Sequence, residues 1–223
     1  FPYGSLSNPI EKFLSEKEFS LLSGENDAMF RVIQTGHGFG GNENCAEFCP
    51  KYNFVLVNGV QKFENLVWKD DCGFNPIFPQ PGTWLYDRAN WCPGSLVKPF
   101  DHNLTPHIPQ GNFKVNLDVE PFVNVNNNNC NYIISSYLFT YDNKNVNNDI
   151  SIDEILAPNN DIRYSRFNPS CGTGEIEVRN LGNNEITKLK IVSTVNGANP
   201  TVFEWEGQIL PGDSKQIIIP EIN

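Results

Sequence analysis

The chain has 223 residues, a formal net charge of -10, six cysteines, and 39% hydrophobic and 12% aromatic residues. Those values suit a folded chain with a real core and exclude the disordered class; with no basic patch, nucleic acid and an anionic membrane surface are not expected partners. No apolar run approaches the roughly 20 residues that cross a bilayer as a helix, so no membrane partner is expected either.

In chain order, the first element is a weakly amphipathic stretch from Pro9 to Phe19, the one helical candidate. Strands follow at Phe30–Thr35, Tyr52–Val57 and Val60–Phe63, rich in β-branched and aromatic residues and bounded by Gly and Asn. Asn58-Gly59 between the last two is a two-residue hairpin signal, because both positions must take φ > 0. From Cys72 to Gly111 the sequence is dense in Pro, Gly and Asn with little periodicity, which marks a functional loop region. Phe113 to Val119 then alternates with period two, and the apolar run Tyr132 to Tyr141 is expected to lie centrally in its sheet.

A composition shift follows Tyr141. We expect a domain over residues 1–160 and a small module over 161–223, the boundary falling near Asn160 to Asn168. The module shows four short strands, Glu175–Val178, Ile186–Thr194, Thr201–Trp205 and Lys215–Ile219, separated by turns at Leu181-Gly182-Asn183, Asn196-Gly197 and Pro211-Gly212-Asp213. The fold class is all-β: an antiparallel sandwich followed by a small Ig-like β-sandwich.

Six cysteines permit three disulfides and point to an oxidising compartment, secreted or periplasmic. Zinc would use paired Cys-x2-Cys or Cys/His clusters, and none occurs, so no metal and no cofactor are expected. The chain opens at Phe1-Pro2-Tyr3 without a signal-peptide pattern, so an export signal is expected to lie upstream or to have been removed.

The motifs that carry chemistry sit beside the cysteines. Asn44-Cys45-Ala46-Glu47-Phe48-Cys49-Pro50 holds a carboxylate between two cysteines, and Asp87-Arg88-Ala89-Asn90-Trp91-Cys92 places an acid-base pair before another. Gly36-His37-Gly38-Phe39-Gly40-Gly41 matches G-x-G-x-x-G, but no helix opens after it, so a dinucleotide site is rejected. It is read as a loop leading to Glu47. Glu47, Asp87, Arg88 and His37 form the candidate polar cluster: a carboxylate positions water for attack on an amide, and a guanidinium steadies charge on the carbonyl oxygen. The bland alternative pairs Asp87 with Arg88 and leaves Glu47 exposed. Trp84, Trp91, Phe39 and Trp68 lie in or beside the same loops, where tryptophans either serve as sugar platforms with a free indole N–H or cap the core. Asp101-His102 with His107 does not make a metal site by spacing.

At these residues the chain resembles the peptide-N-glycosidase F family, specifically the second of its two jelly-roll domains. The stretches that carry the likeness are Pro2-Tyr3-Gly4, Gly36-His37, Cys45-Ala46-Glu47-Phe48-Cys49, Cys72 with Asn75-Pro76, Gly82-Thr83-Trp84, Asp87 through Gly94, and Tyr132 to Tyr137, in order over about residues 1 to 145. The resemblance implies disulfides Cys45–Cys49 and Cys72–Cys92, an essential glutamate at Glu47 and an active-site arginine at Arg88. From the polar cluster and the loop tryptophans themselves, substrate contacts are expected at His37, Trp84, Asp87 and Trp91, and Cys130 and Cys171 are the leftover cysteines, a pair that would tie the end module to the main domain. The expected activity is hydrolysis of the amide between asparagine and the innermost N-acetylglucosamine of an N-linked glycan, without a metal. The family's principal aspartate lies in its first jelly roll, which nothing here reproduces, and a family tryptophan before the Gly-His pair is Thr35. The chain therefore resembles half of a two-domain site, completed by an N-terminal jelly-roll domain, with an N-linked glycan or glycopeptide as ligand. The alternatives are a non-catalytic glycan- or protein-binding module, and a relative of copper monooxygenases that share the jelly-roll pair, whose His and Met ligands are missing.

Overall fold

A computed structural model describes residues 12–39, 45–75, 81–109, 111–120, 130–142, 145–161, 173–194, 197 and 199–220. The chain forms two compact units, Phe1–Asn143 and Lys144–Asn223. Its described secondary structure is strand and short 3-10 turns.

The first unit contains β1 (Lys17–Ser20), β2 (Glu25–His37), β3 (Lys51–Val57), β4 (Val60–Val67), β5 (Phe100–Asn103), β6 (Asn112–Val119) and β7 (Asn131–Asp142). They make two antiparallel sheets, ordered β1-β6-β3-β4 and β5-β2-β7. Every connection except the β3–β4 hairpin passes from one sheet to the other, so the sheets are interlocked by the chain path. Between them lies a core of Ala28, Phe30 and Val32 from β2, Val55 and Val57 from β3, and Phe113, Val115 and Leu117 from β6. Period-two alternation sends these side chains inward while Met29, Arg31 and Ile33 face out. Each fully buried Val or Phe contributes roughly 1.5–3 kcal/mol of transfer energy. At the hairpin, Asn58 takes φ 52° and Gly59 φ 76°, as the Asn-Gly signal requires.

The second unit contains β8 (Ile150–Ala157), β9 (Gly174–Asn180), β10 (Ile186–Ser193), β11 (Thr201–Ile209) and β12 (Ser214–Ile219). Sheets β12-β9-β8 and β10-β11 enclose Ile176, Val178, Ile186, Ile209, Ile217 and Ile219, giving a five-stranded sandwich.

Four expectations are corrected. No α-helix forms over 12–19; Lys17–Ser20 is β1, paired with β6, and residues 9–11 lie outside the described residues. β7 is an outer strand, not a central one, and Ile133, Tyr137 and Phe139 stand exposed on it. The units divide at Asn143, because β8 pairs with β9 and so belongs with the second unit. Its strand pattern is hidden in sequence by Asp153-Glu154. Cys130 is a buried free thiol, and Cys171 lies outside the described residues.

Candidate functional site

Three segments meet where β2 ends. The first is β2's last turn of pleat, Thr35-Gly36-His37. The second is the loop closed by the Cys45–Cys49 disulfide, and the third is the stretch around Arg88 closed by Cys72–Cys92. Backbone bonds lace them together: Gly36 N–H donates to Ala89 O (3.1 Å), Ala89 N–H to Glu47 O (2.8 Å), and Lys69 and Arg88 form an isolated bridge. Asn90, in the left-handed region at φ 59°, sends its side-chain amide to Gln34 O (3.0 Å) and Lys98 O (3.2 Å). Closing the 20-residue separation from Cys72 to Cys92 is worth about 3 kcal/mol in the chain-entropy account.

At this junction Arg88 Nη1 donates to Glu47 Oε1 at 3.0 Å, with both side chains buried. Glu47 Oε2 accepts from Gly38 N–H at 2.9 Å. The other guanidinium donors are committed to backbone: Nε to Tyr86 O (3.0 Å) and Nη2 to Thr83 O. Trp91 and Phe48 flank the guanidinium, their ring centroids 4.7 and 5.1 Å from Cζ. Only 3% of the Arg88 side chain reaches solvent. Burial pulls its pKa below the ordinary arginine value, opposed by the charge of Glu47. Arg88 is thus built into the protein. It holds Glu47 in place, and the carboxylate's remaining lone pairs are available to accept from a hydroxyl or an amide N–H.

The stack continues beyond Trp91 to His37, whose ring lies 5.1 Å away. Thr35 Oγ1 sits 2.8 Å from His37 Nε2. The indole N–H of Trp91 donates to Gly36 O (2.8 Å), so it is not free for a sugar.

Of the predicted residues, Glu47, Arg88, His37 and Trp91 come together. Asp87 does not take the ion pair; Arg88 turns to Glu47, and Asp87 adds only a longer-range charge. Trp84 does not join the stacked rings; its carbonyl accepts from Asn75 Nδ2 (3.0 Å). Sequence reasoning missed Phe48 and Tyr86 as neighbours of the cluster, although Phe48 adjoins Glu47 in the stapled loop. It also missed Gly36 as the contact point of all three segments. Asp101 forms a two-pronged bond with Arg31, at 2.7 and 2.6 Å, and His102 stacks on Phe63.

A family model described as Peptide-N-glycosidase F, C terminal, matches residues 8–139, more than half the chain. The chain belongs to this family. It is 28% identical over 135 residues to the peptide-N(4)-(N-acetyl-beta-D-glucosaminyl)asparagine amidase F of Elizabethkingia miricola, covering 57% of this chain and 38% of that protein. Among solved structures, PNGase F, a glycosylasparaginase from Flavobacterium meningosepticum, aligns with TM-score 0.53 at 27% identity, over 58% of this chain and 44% of that one. A peptide-N(4)-(N-acetyl-beta-D-glucosaminyl) asparagine amidase aligns with TM-score 0.55 at 27% identity, over 64% and 47%. The chain spans less than half the length of these relatives. Its first unit is accordingly a family jelly-roll sandwich, and the Glu47–Arg88 junction lies within the family-matched region.

Two histidines of this unit make its stability pH-dependent. Burial lowers the pKa of His37 against the charge of Glu47, and lowers that of His102 against the charge of Asp101. Both folded values fall below the unfolded value near 6.5. The folded state then binds fewer protons, so stability is whole above pH about 6.5 and is lost as pH falls through it. Urea midpoints are expected to drop as the pH is lowered from 7.5 to 5.5. His102→Gln should lessen that drop; an unchanged drop in this variant would remove His102 from the account.

Proposed function

We propose that this chain supplies one side of an N-glycan amidase site, acting on the amide between an asparagine side chain and the innermost N-acetylglucosamine. The observation that carries the reading is the clamped carboxylate: Glu47 is fixed on both oxygens, by Arg88 and by Gly38 N–H, on a loop closed by a disulfide. Such a group orients a substrate hydroxyl, an amide N–H or the attacking water without reorganising. Water adds to the carbonyl carbon, the C–N bond breaks, and the nitrogen leaves with a proton as the glycosylamine, leaving aspartate. Glu47 accepts a hydrogen bond during this exchange, and Arg88 acts through Glu47. His37 and Trp91 form the half-exposed side of the site that takes sugar.

The aspartate that activates water belongs, on this reading, to a jelly-roll domain outside this chain. The exposed apolar side chains of β7 support a docking surface for it. Ile133, Tyr137 and Phe139 are exposed on one face, and Ile133 pairs in register with Thr35, two residues from His37. A domain resting there would bring its groups beside the clamped carboxylate. The disulfides and the absence of a helix long and apolar enough to cross a membrane, among the described residues, suit a secreted or periplasmic setting.

The test is release of glycans from a denatured glycoprotein by the full-length protein. Glu47→Gln, which keeps an acceptor for Arg88 Nη1, is expected to lower release by about a hundredfold or more, and circular dichroism checks that the variant is folded. Undiminished release by that variant would reject the assignment. Glycan binding without any turnover by the unmodified protein would favour the binding-module alternative.

A further inference from the structure

The guanidinium of Arg88 touches two aromatic groups of unlike character. One consists of Trp91 and His37, which carry polar atoms and are tied to Gly36 O and Thr35 Oγ1. The other is Phe48, with Phe39 and Tyr86 both set edge-to-face against it at 5.8 and 6.3 Å. This second group is a corner of three aromatic rings in which the tyrosine hydroxyl is the only side-chain polar atom. Its outer members are far more open than a core would leave them: Phe39 is 63% exposed and Tyr86 58%, and the adjoining Leu85 is also exposed.

Their positions are fixed by the ion pair itself. Gly38, next to Phe39, donates to Glu47; Phe48 follows Glu47; and Tyr86 lends its carbonyl to Arg88 Nε. Aromatic rings held open beside a clamped carboxylate form a site, because leaving two large apolar side chains in water costs folding energy that burial would return. The bond at issue joins a sugar to a polypeptide, so a site that straddles it needs two differently made sides.

We propose that Phe39, Phe48 and Tyr86 take an apolar side chain of the polypeptide flanking the glycosylated asparagine, and so set which glycosylated sequences bind. This rests on the amidase reading and adds to it a preference in the peptide. A sugar is the poorer occupant: it needs several hydrogen-bonding partners for its hydroxyls, which this corner offers at Tyr86 alone among the three. An acidic segment would also meet a chain of net charge -10.

The experiment measures binding of the full-length protein to two synthetic peptides that carry the same chitobiose on asparagine and differ only in the adjoining residue, leucine or serine. The leucine peptide is expected to bind about tenfold more tightly, the ratio that burying part of one aliphatic side chain gives. In Phe39→Ser and Tyr86→Ser the ratio should collapse towards one; both side chains are exposed, so the fold is retained, and circular dichroism checks it. Equal affinities for the two peptides overturn the proposal while leaving the amidase reading intact. Loss of affinity for free chitobiose in these variants, equal to the loss for the glycopeptides, also overturns it, because the corner would then be a sugar platform. If neither glycopeptide nor chitobiose binds, the amidase reading fails and the proposal falls with it.

Discussion

Gly36→Ala is expected to cost more than about 4 kcal/mol, enough to prevent folding of a marginally stable domain. A β-carbon at this position would lie 1.6 Å from Ala46 O and 2.8 Å from Ala89 Cβ. Neither neighbour can retreat. Ala46 belongs to the five-residue loop closed by Cys45–Cys49, and Ala89 is bonded on both sides, to Glu47 O and from Gly36 N–H. The need here is for space, not for an unusual backbone angle. Gly59→Ala provides the contrast: Gly59 has φ 76° but nothing within 4 Å of an added β-carbon. That change should cost only about 1–2 kcal/mol of left-handed strain. Urea unfolding of both variants checks the pair, and a Gly36→Ala protein within 1 kcal/mol of the parent, on the scale of an ordinary substitution, would mean that the three segments are not packed as described.

Arg88→Ala is the second large effect, about 3–5 kcal/mol of lost stability, because it leaves the Glu47 carboxylate buried without its partner. It also removes the group that Trp91 and Phe48 both contact and frees two backbone carbonyls, Tyr86 O and Thr83 O. Arg88→Lys should recover little, since an ammonium cannot reach three separate acceptors along a planar fork. The discriminating measurement is a double-mutant cycle with Glu47→Ala. Removing both charges together is expected to cost about 1–3 kcal/mol less than the sum of the single losses. Strict additivity would show that the two side chains do not act as a unit, and would undercut the role given to Glu47.

The all-β character was legible because alternation in β2, β3 and β6 and the Asn58-Gly59 turn are local signals. The strands at 17–20, 100–103 and 150–157 were not. β1 and β5 have only four residues, too few to display a period, and β8 carries Asp153-Glu154 with two register shifts against β9. The placement of β7 failed for a different reason. An apolar run reads as buried whether it faces a core or awaits a partner, and on β7 much of that surface is exposed. At the site, sequence picked out Glu47 and Arg88 from their place beside cysteines and from the family resemblance. It could not tell which acid Arg88 would choose, because Asp87 is nearer in the chain and Glu47 is nearer in space. It also could not foresee that Trp91, three residues after Arg88, would stack on the guanidinium and spend its indole N–H on Gly36.

The pairing of β2 with β7 reaches from Glu25↔Asp142 to His37↔Asn131, so the longest strand partnership in the unit ends at the candidate site. Heating should therefore not fray this corner ahead of the rest. Hydrogen exchange is expected to show the β2 amides paired with β7 better protected than those of the four-residue β1 and β5 ladders.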